Sequence, residues 1–261
     1  MEEYNNIIFQ VKEQVATLSL NRPTHLNVLN EETLLEMDSA LDRIASDNGI
    51  KAVVLRSNCE KAFTAGADVR EMREKDVQGA ARFAELGHRV AHRIEKEMPP
   101  VIAVLNGYVL GGGLEIASAC DLRIATPDAI FAQPEIDIGI IPGWGGTQRL
   151  CRLIGFGRAK EMIYMGKRIT AEEALEIGLV NLVVPQEEID TVLGSMTEIL
   201  RSKSRVALMA AKKAIEMTVE ASLHTGLSYE VQSWATLFAT YDQKEGMTAF
   251  LEKRRPHFVD K

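Results

Sequence analysis

Apolar residues in the first third of the chain cluster in short, partly alternating runs. "NIIFQV" and "QVATLSLN" predict the two strands of an opening hairpin, and "NRP" ends the second run with a turn. From Asn30, a favourable N-cap followed by two acids, Leu34, Met37, Leu41 and Ile44 recur at helical spacing and predict a helix with one buried face. "KAVVLR" then predicts a β-branched strand. The loop "SNCEKAFTAGAD" leads into a polar helical stretch of about 20 residues that Pro99 and Pro100 stop. A strand ("VIAVLN"), a glycine-rich turn and a helix are expected over 101 to 119. Another strand, "DLRIA", and the apolar, glycine-containing "AIFAQPEIDIGIIPGWGGTQRL" follow. This alternation predicts an α/β fold of βαβ units with a largely parallel sheet, and no internal repeat stands out. From about residue 186 the pattern is nearly all helical. Leu223, Leu227, Val231, Trp234 and Phe238 form an apolar stripe that needs a partner, either the chain's own core or another subunit.

Composition narrows the function classes. At 261 residues, 46% hydrophobic and 26% charged, the chain is long enough for a sizeable core. A formal charge of −7 argues against a role in gripping nucleic acid, where phosphate neutralisation dominates affinity. Cys59, Cys120 and Cys151 show no C-x-x-C spacing, so neither a disulfide framework nor a zinc site is expected. The stretch "MEEYNNIIFQ" lacks a basic and apolar leader pattern, and a cytoplasmic home is expected. "VIAVLNGYVLGGGLEIASA" is long enough to raise a membrane span, but Asn106, Glu115 and four glycines speak against one.

Glu115 is the only charged side chain between Glu97 and Asp121, and burying a lone carboxylate among Leu, Ile, Ala and Gly carries a desolvation penalty of several kcal/mol. It follows Gly111, Gly112 and Gly113, whose N–H groups at a helix start favour a negative oxygen. The spacing fits neither a dinucleotide fingerprint nor a P-loop. The small-residue loop "AFTAGAD" can bring a second backbone donor close to a ligand, forming a carbonyl-polarising pair. Glu135 is another carboxylate in apolar surroundings, and two such groups suit general acid and base work. Asp137 is expected to cap or bind backbone instead. His88 and His92 lie four apart without a third metal ligand, and no G-x-S-x-G elbow exists.

These residues resemble the crotonase, or enoyl-CoA hydratase/isomerase, superfamily. The likeness runs through "VATLSLNRP", "LNVLN", "KAFTAGADV", "VIAVLNGYVLGGGLEIASACDLRIA", "FAQPEIDIGIIPGWGGTQRL", "GLVNLVVP" and "EGMTAFLEKRRPHF". The resemblance implies a spiral of repeated ββα units over residues 1–200. It also implies a carboxy-terminal helical region, 201–261, that builds homotrimers, usually paired into hexamers. The implied substrate is an acyl-CoA thioester, with coenzyme A as part of the substrate and no metal or other cofactor. Ala67 and Gly112 match the oxyanion-hole donors, and Glu115 and Glu135 the two catalytic glutamates. Ala65, Gly66, Asp68, Val69, Arg70, Gly111 and Gly113 match the stretches that line the substrate path. Arg22, Lys253, Arg254 and Arg255 are candidates for its phosphates on charge alone. Leu114 stands where many members have Cys, and Trp144 occupies a variable position where it either shapes the acyl pocket or fills the core.

The resemblance implies hydration of a 2-enoyl-CoA, with a compact substrate such as crotonyl-CoA as the first expectation and fatty-acid β-oxidation as the setting. A Δ3,Δ2-enoyl-CoA isomerase is the nearest alternative, but members of that kind commonly lack the glutamate matching Glu115. A hydratase of branched or cyclic enoyl-CoA is another. A two-carboxylate glycosidase fits poorly with 6% aromatic residues, and an RNA-binding relative fits poorly with the acidic balance.

Overall fold

The computed structural model describes residues 4–261. Residues 1–3, on which part of the reading of the amino-terminal stretch rests, lie outside the described residues. The expected hairpin is present: β1 (Ile7–Lys12) and β2 (Val15–Leu20) pair antiparallel across a turn in which Glu13 and Gln14 take positive φ. Asn30 caps α1 (Glu31–Ser46), its side-chain oxygen accepting from the Thr33 N–H at 3.0 Å, and Leu34, Met37, Leu41 and Ile44 are buried. Then come β3 (Ala52–Ser57), β4 (Ala62–Thr64), the short α2 (Val69–Arg73) and the long α3 (Val77–Lys96). The middle of the chain holds β5 (Val101–Leu105), β6 (Tyr108–Leu110), α4 (Gly112–Ser118), β7 (Leu122–Ala125) and β8 (Ile130–Ala132). A 3-10 turn at Glu135–Ile138 leads to α5 (Gly146–Ile154), α6 (Phe156–Tyr164), β9 (Ile169–Thr170), α7 (Ala171–Glu176) and β10 (Leu182–Val183). Four helices finish the chain: α8 (Ile189–Arg201), α9 (Arg205–Glu220), α10 (Leu223–Leu237) and α11 (Tyr241–Leu251).

The strands form two sheets rather than the single one expected, with orders β1-β2-β3-β5-β7-β10 and β4-β6-β8-β9. All pairs are parallel except β1 with β2 and β8 with β9. Successive pairs β3/β4, β5/β6 and β7/β8 each give their first strand to the larger sheet and their second to the smaller one. A helix then returns the chain, and the result is a spiral of ββα units without a sequence repeat. The run at 101 to 119 therefore contains two strands, split at Asn106-Gly107. Gly107 sits at φ +53°, where a Cβ would collide with the Lys61 carbonyl, and Asn106 Nδ2 donates to the carbonyls of Cys59 and Glu60 at 2.9 and 3.0 Å. Both strands are short and apolar, with β5 fully buried and β6 burying only Val109 outright, so periodicity alone does not separate them.

Several enclosed ion pairs fasten the carboxy-terminal region to the rest of the chain, among them Lys51–Asp260 and Lys212–Asp121. Lys212 Nζ on α9 donates to Asp121 Oδ2 at 2.7 Å and to the Ile94 carbonyl at 2.9 Å, while the same carboxylate oxygen accepts the Val101 N–H at 2.7 Å. The stripe on α10 does not pack on the chain's own core, since Leu223, Leu227, Val231 and Trp234 are 51 to 80% exposed and Phe238 lies on Trp234 at 4.5 Å. No helix among the described residues is long and apolar enough to cross a membrane. Lys212→Met should destabilise the protein by about 2 kcal/mol, less than for a fully buried pair because Asp121 keeps some solvent contact. An unchanged denaturation midpoint would refute that anchoring role.

Candidate active site

The connections that leave β4, β6 and β8 converge with the turn before α5. After β4, Gly66 at φ +99° turns the chain so that a Cβ there would lie 3.1 Å from the Leu110 carbonyl oxygen, which brings this loop against the end of β6. Gly66 N–H donates to Thr64 Oγ1 at 3.1 Å, Ala65 N–H to the Leu26 carbonyl at 3.0 Å, and Asp68 N–H to the Leu29 carbonyl at 2.9 Å. Ala67 bridges to Leu29, and its own N–H faces the opposite side of the extended backbone, with no acceptor among the described residues. Gly111, at φ +49°, donates to the Ala132 carbonyl at 2.9 Å and starts α4. As the first residue of that helix, Gly112 has an N–H without an intrahelical partner and without another acceptor among the described residues. The two expected donors are therefore both uncommitted, on loops in backbone contact.

Glu115 and Glu135 are both buried, at 2% and 9% exposure. Glu115 projects from the first turn of α4 toward the start of α5. Its Oε1 accepts the N–H groups of Trp144 at 2.7 Å and Gly146 at 2.6 Å. Burial pushes its carboxyl above the usual range, and the N–H groups of Gly146, Trp144 and Gly143, with the charge of Arg149, offset only part of that rise. Glu135 has less compensation: burial first, then the negative charge of Glu115, push it up to about 7. It reaches Gly111, where a Cβ would sit 2.9 Å from Oε1. The fully buried Gln133 amide, turned to satisfy both partners, donates to Glu135 Oε1 and Oε2 at 2.9 and 3.0 Å.

Asp137 departs from expectation. It is exposed, accepts no hydrogen bond among the described residues, and lies beside Gly166, because Gly139 in the left-handed region closes its turn through backbone alone. Asp68 caps α2 by accepting the Arg70 N–H at 3.1 Å, which leaves Val69 and Arg70 exposed at the helix start. Arg22 lies 3.8 Å from Asp68, beside this stretch. Arg254 is not free for a phosphate, being held by Glu245 and Glu252, whereas Lys253 and Arg255 are exposed. His88 neighbours Gly145 and Arg149, and no group of three or more His, Cys, Asp or Glu among the described residues is placed to hold a metal ion. Sequence reasoning missed Gln133 and the N–H groups of the 143–146 turn. Gln133 had one signal, an amide beside Pro-Glu in an apolar run; backbone donors leave none.

Trp144 is 3% exposed. Its ring fills the space between α3 and α4, against Gly87 and Gly112, with Phe83 edge-on at 5.3 Å. Only glycine at 87 and 112 leaves room for it.

Comparison with known proteins gives a consistent result. The sequence profile of the enoyl-CoA hydratase/isomerase family matches residues 10–261. The chain is 45% identical to a short-chain-enoyl-CoA hydratase of Clostridium acetobutylicum, over 97% of each chain. It is 43% identical to a crotonyl-CoA hydratase of Syntrophomonas wolfei, over 99% of each. The crystal structure of an enoyl-CoA hydratase from Bacillus anthracis superposes with a TM-score of 0.94 at 40% identity, covering 98% of this chain and all of that one.

A carboxyl whose folded pKa is about 7 stabilises the folded state, relative to its ionised form, while protonated, and that contribution fades as pH rises through 7. Glu135→Gln should therefore be more stable than the parent at pH 8, by up to about 3 kcal/mol at 1.4 kcal/mol per pKa unit, with a smaller gain at pH 5. Equal effects at both pH values in chemical denaturation would contradict the elevated pKa.

Proposed function

The chain belongs to the enoyl-CoA hydratase/isomerase family, and we propose that it adds water across the α,β double bond of a short-chain 2-enoyl-CoA to give the 3-hydroxyacyl-CoA. It is a hydro-lyase. The observation that carries the reading is the juxtaposition of two uncommitted backbone donors, Ala67 and Gly112, with two buried carboxylates whose proton affinities are both raised. A thioester oxygen held by the two N–H groups draws electron density from the double bond and makes the β-carbon electrophilic. Glu115, whose carboxylate form is favoured by the N–H groups of the 143–146 turn, takes a proton from water as the water oxygen bonds to the β-carbon. Electrons move onto the thioester oxygen as an enolate. That enolate collapses by taking the proton of Glu135 at the α-carbon, and exchange with solvent returns the pair to its starting protonation. Polarisation comes from the backbone donors, so the reading assigns no metal or other cofactor.

The stretch Ala65, Gly66, Asp68, Val69 and Arg70, with Gly111 and Gly113, lets the thioester approach the backbone, and Arg22, Lys253 and Arg255 remain the cations for the coenzyme A phosphates. The exposed stripe on α10 supports assembly into a homotrimer or a pair of trimers. A cytoplasmic role in fatty-acid β-oxidation accords with the substrate class. The Trp144 ring beside Gly112 supports a short acyl group on the premise that the acyl chain runs past the start of α4, where the ring takes up the apolar space.

Loss of conjugated-enoyl absorbance with crotonyl-CoA tests the activity, with a 3-enoyl-CoA run in parallel to detect isomerisation. Glu115→Gln should lower the hydration rate by roughly a hundredfold or more, and a near-parental rate would remove Glu115 from the role of base. Activity should also decline as pH rises through about 7, where Glu135 loses the proton it delivers. Trp144→Ala should raise kcat/KM for octenoyl-CoA relative to crotonyl-CoA by about tenfold or more. An unchanged ratio would show that the ring fills core rather than limiting the acyl chain.

A further inference from the structure

The turn that solvates Glu115 has its own support. Arg149 on α5 donates from Nη1 to the Trp144 carbonyl at 3.0 Å, and its Nε and Nη2 form a bidentate pair with Glu95 on α3 at 3.1 and 2.9 Å. The guanidinium and Glu95 are both largely enclosed, at 14 and 20% side-chain exposure. Gly145 makes the arrangement possible: it sits at φ +109°, and any Cβ there would overlap Arg149 Nη1. The same peptide segment thus presents the Trp144 carbonyl to Arg149 and the N–H groups of Trp144 and Gly146 to Glu115.

We propose that Arg149, clamped by Glu95, is a positioning residue that fixes the 143–146 turn so that its N–H groups stay aimed at Glu115. The proposal rests on the reading of Glu115 as the base and adds the element that holds it in that state. A bidentate pair across two helices is a rigid reference, and a displacement of about 1 Å at a catalytic group is enough to lower a rate by roughly a hundredfold. The charged and titratable groups facing this assembly are Glu135 beside Glu115, Glu95, His88 and Lys96 from α3, Cys120 just beyond α4, and Arg149 itself. Burial and the charge of Arg149 hold the His88 imidazole below its usual range, so His88 reports whether that charge is present.

Three variants test the proposal: Arg149→Met, Arg149→Lys and Glu95→Gln. Each is followed by kcat, KM and pH dependence with crotonyl-CoA, and by infrared titration of the Glu115 carboxyl, assigned by subtracting a Glu115→Gln background. Arg149→Met should lower kcat by about ten- to a hundredfold with little change in KM, move the acidic limb of the profile to higher pH, and raise the Glu115 pKa. Glu95→Gln should do the same more weakly. Arg149→Lys keeps the charge, and with it the depressed His88 titration, but cannot hold the Trp144 carbonyl and Glu95 in one fork. It should still raise the Glu115 pKa. A Glu115 titration unchanged in Arg149→Lys and Glu95→Gln would overturn the proposal and leave Arg149 a stabilising ion pair only. If Arg149→Met does not fold, the other two variants decide. The infrared titration stands whether or not crotonyl-CoA is hydrated, so failure of the proposal and failure of the functional reading are distinguishable.

Discussion

Glu115 has no ion-pair partner among the described residues, and its solvent is the peptide backbone of Trp144 and Gly146. Those fixed N–H dipoles replace part of the water a carboxylate would otherwise hold and offset part of the cost of placing Glu115 at 2% exposure. Everything around it serves the same geometry. α4 has to start at Gly112 for the carboxylate to reach α5, and the 143–146 turn has to pass close enough for glycine at 146, where a Cβ would meet the Gln133 amide at 2.9 Å and Glu115 Cγ at 3.1 Å. Glu135 is met by the Gln133 side-chain amide and not by a run of peptide N–H groups, and burial with the charge of Glu115 raises its proton affinity. Burial raises both carboxyls, and they differ in what acts against or with it: peptide N–H groups offset part of the rise at Glu115, while the charge of Glu115 adds to the rise at Glu135.

The spiral topology explains why these pieces meet. Because β4, β6 and β8 all belong to the smaller sheet and run parallel, the chain leaves them at one edge. The loop carrying Ala67, the start of α4 and the turn bearing Glu135 follow those three strands directly. The larger sheet and α1 and α3 supply the packed support, with Phe63 and Phe131 fully buried between the layers. Backbone-to-backbone approach at Gly66 and Gly111 then brings the loops closer than any side chain would permit.

The sequence carried the opening hairpin, the first helix with its cap at Asn30, and the positions of the two sparse carboxylates and the two glycine-rich turns, because each leaves a local mark, whereas β4 lies inside a stretch read as a loop because three buried residues show no period. What it did not carry depends on pairing over distance. The division of 101 to 119 into strands of two sheets rests on the approach of Gly107 to Lys61, and the support of Glu115 rests on N–H groups that every residue possesses. Asp137 looked like a capping residue by type, yet its turn closes through Gly139. The partner of the α10 stripe was open in the sequence, and the structure narrows it by leaving that face uncovered.

The distance in sequence between Glu115 and its donors bears on the order in which the protein can be completed. A chain emerging during synthesis presents α4 about 30 residues before Gly146, so the apolar helix is available for collapse while its carboxylate has nothing to accept from. Docking α4 at that stage would mean burying either a neutral acid or an unsolvated charge. The lowest-cost seat for α4 is therefore reached once the turn beyond it is in place, so the environment of Glu115 is a product of tertiary closure and not of its own helix.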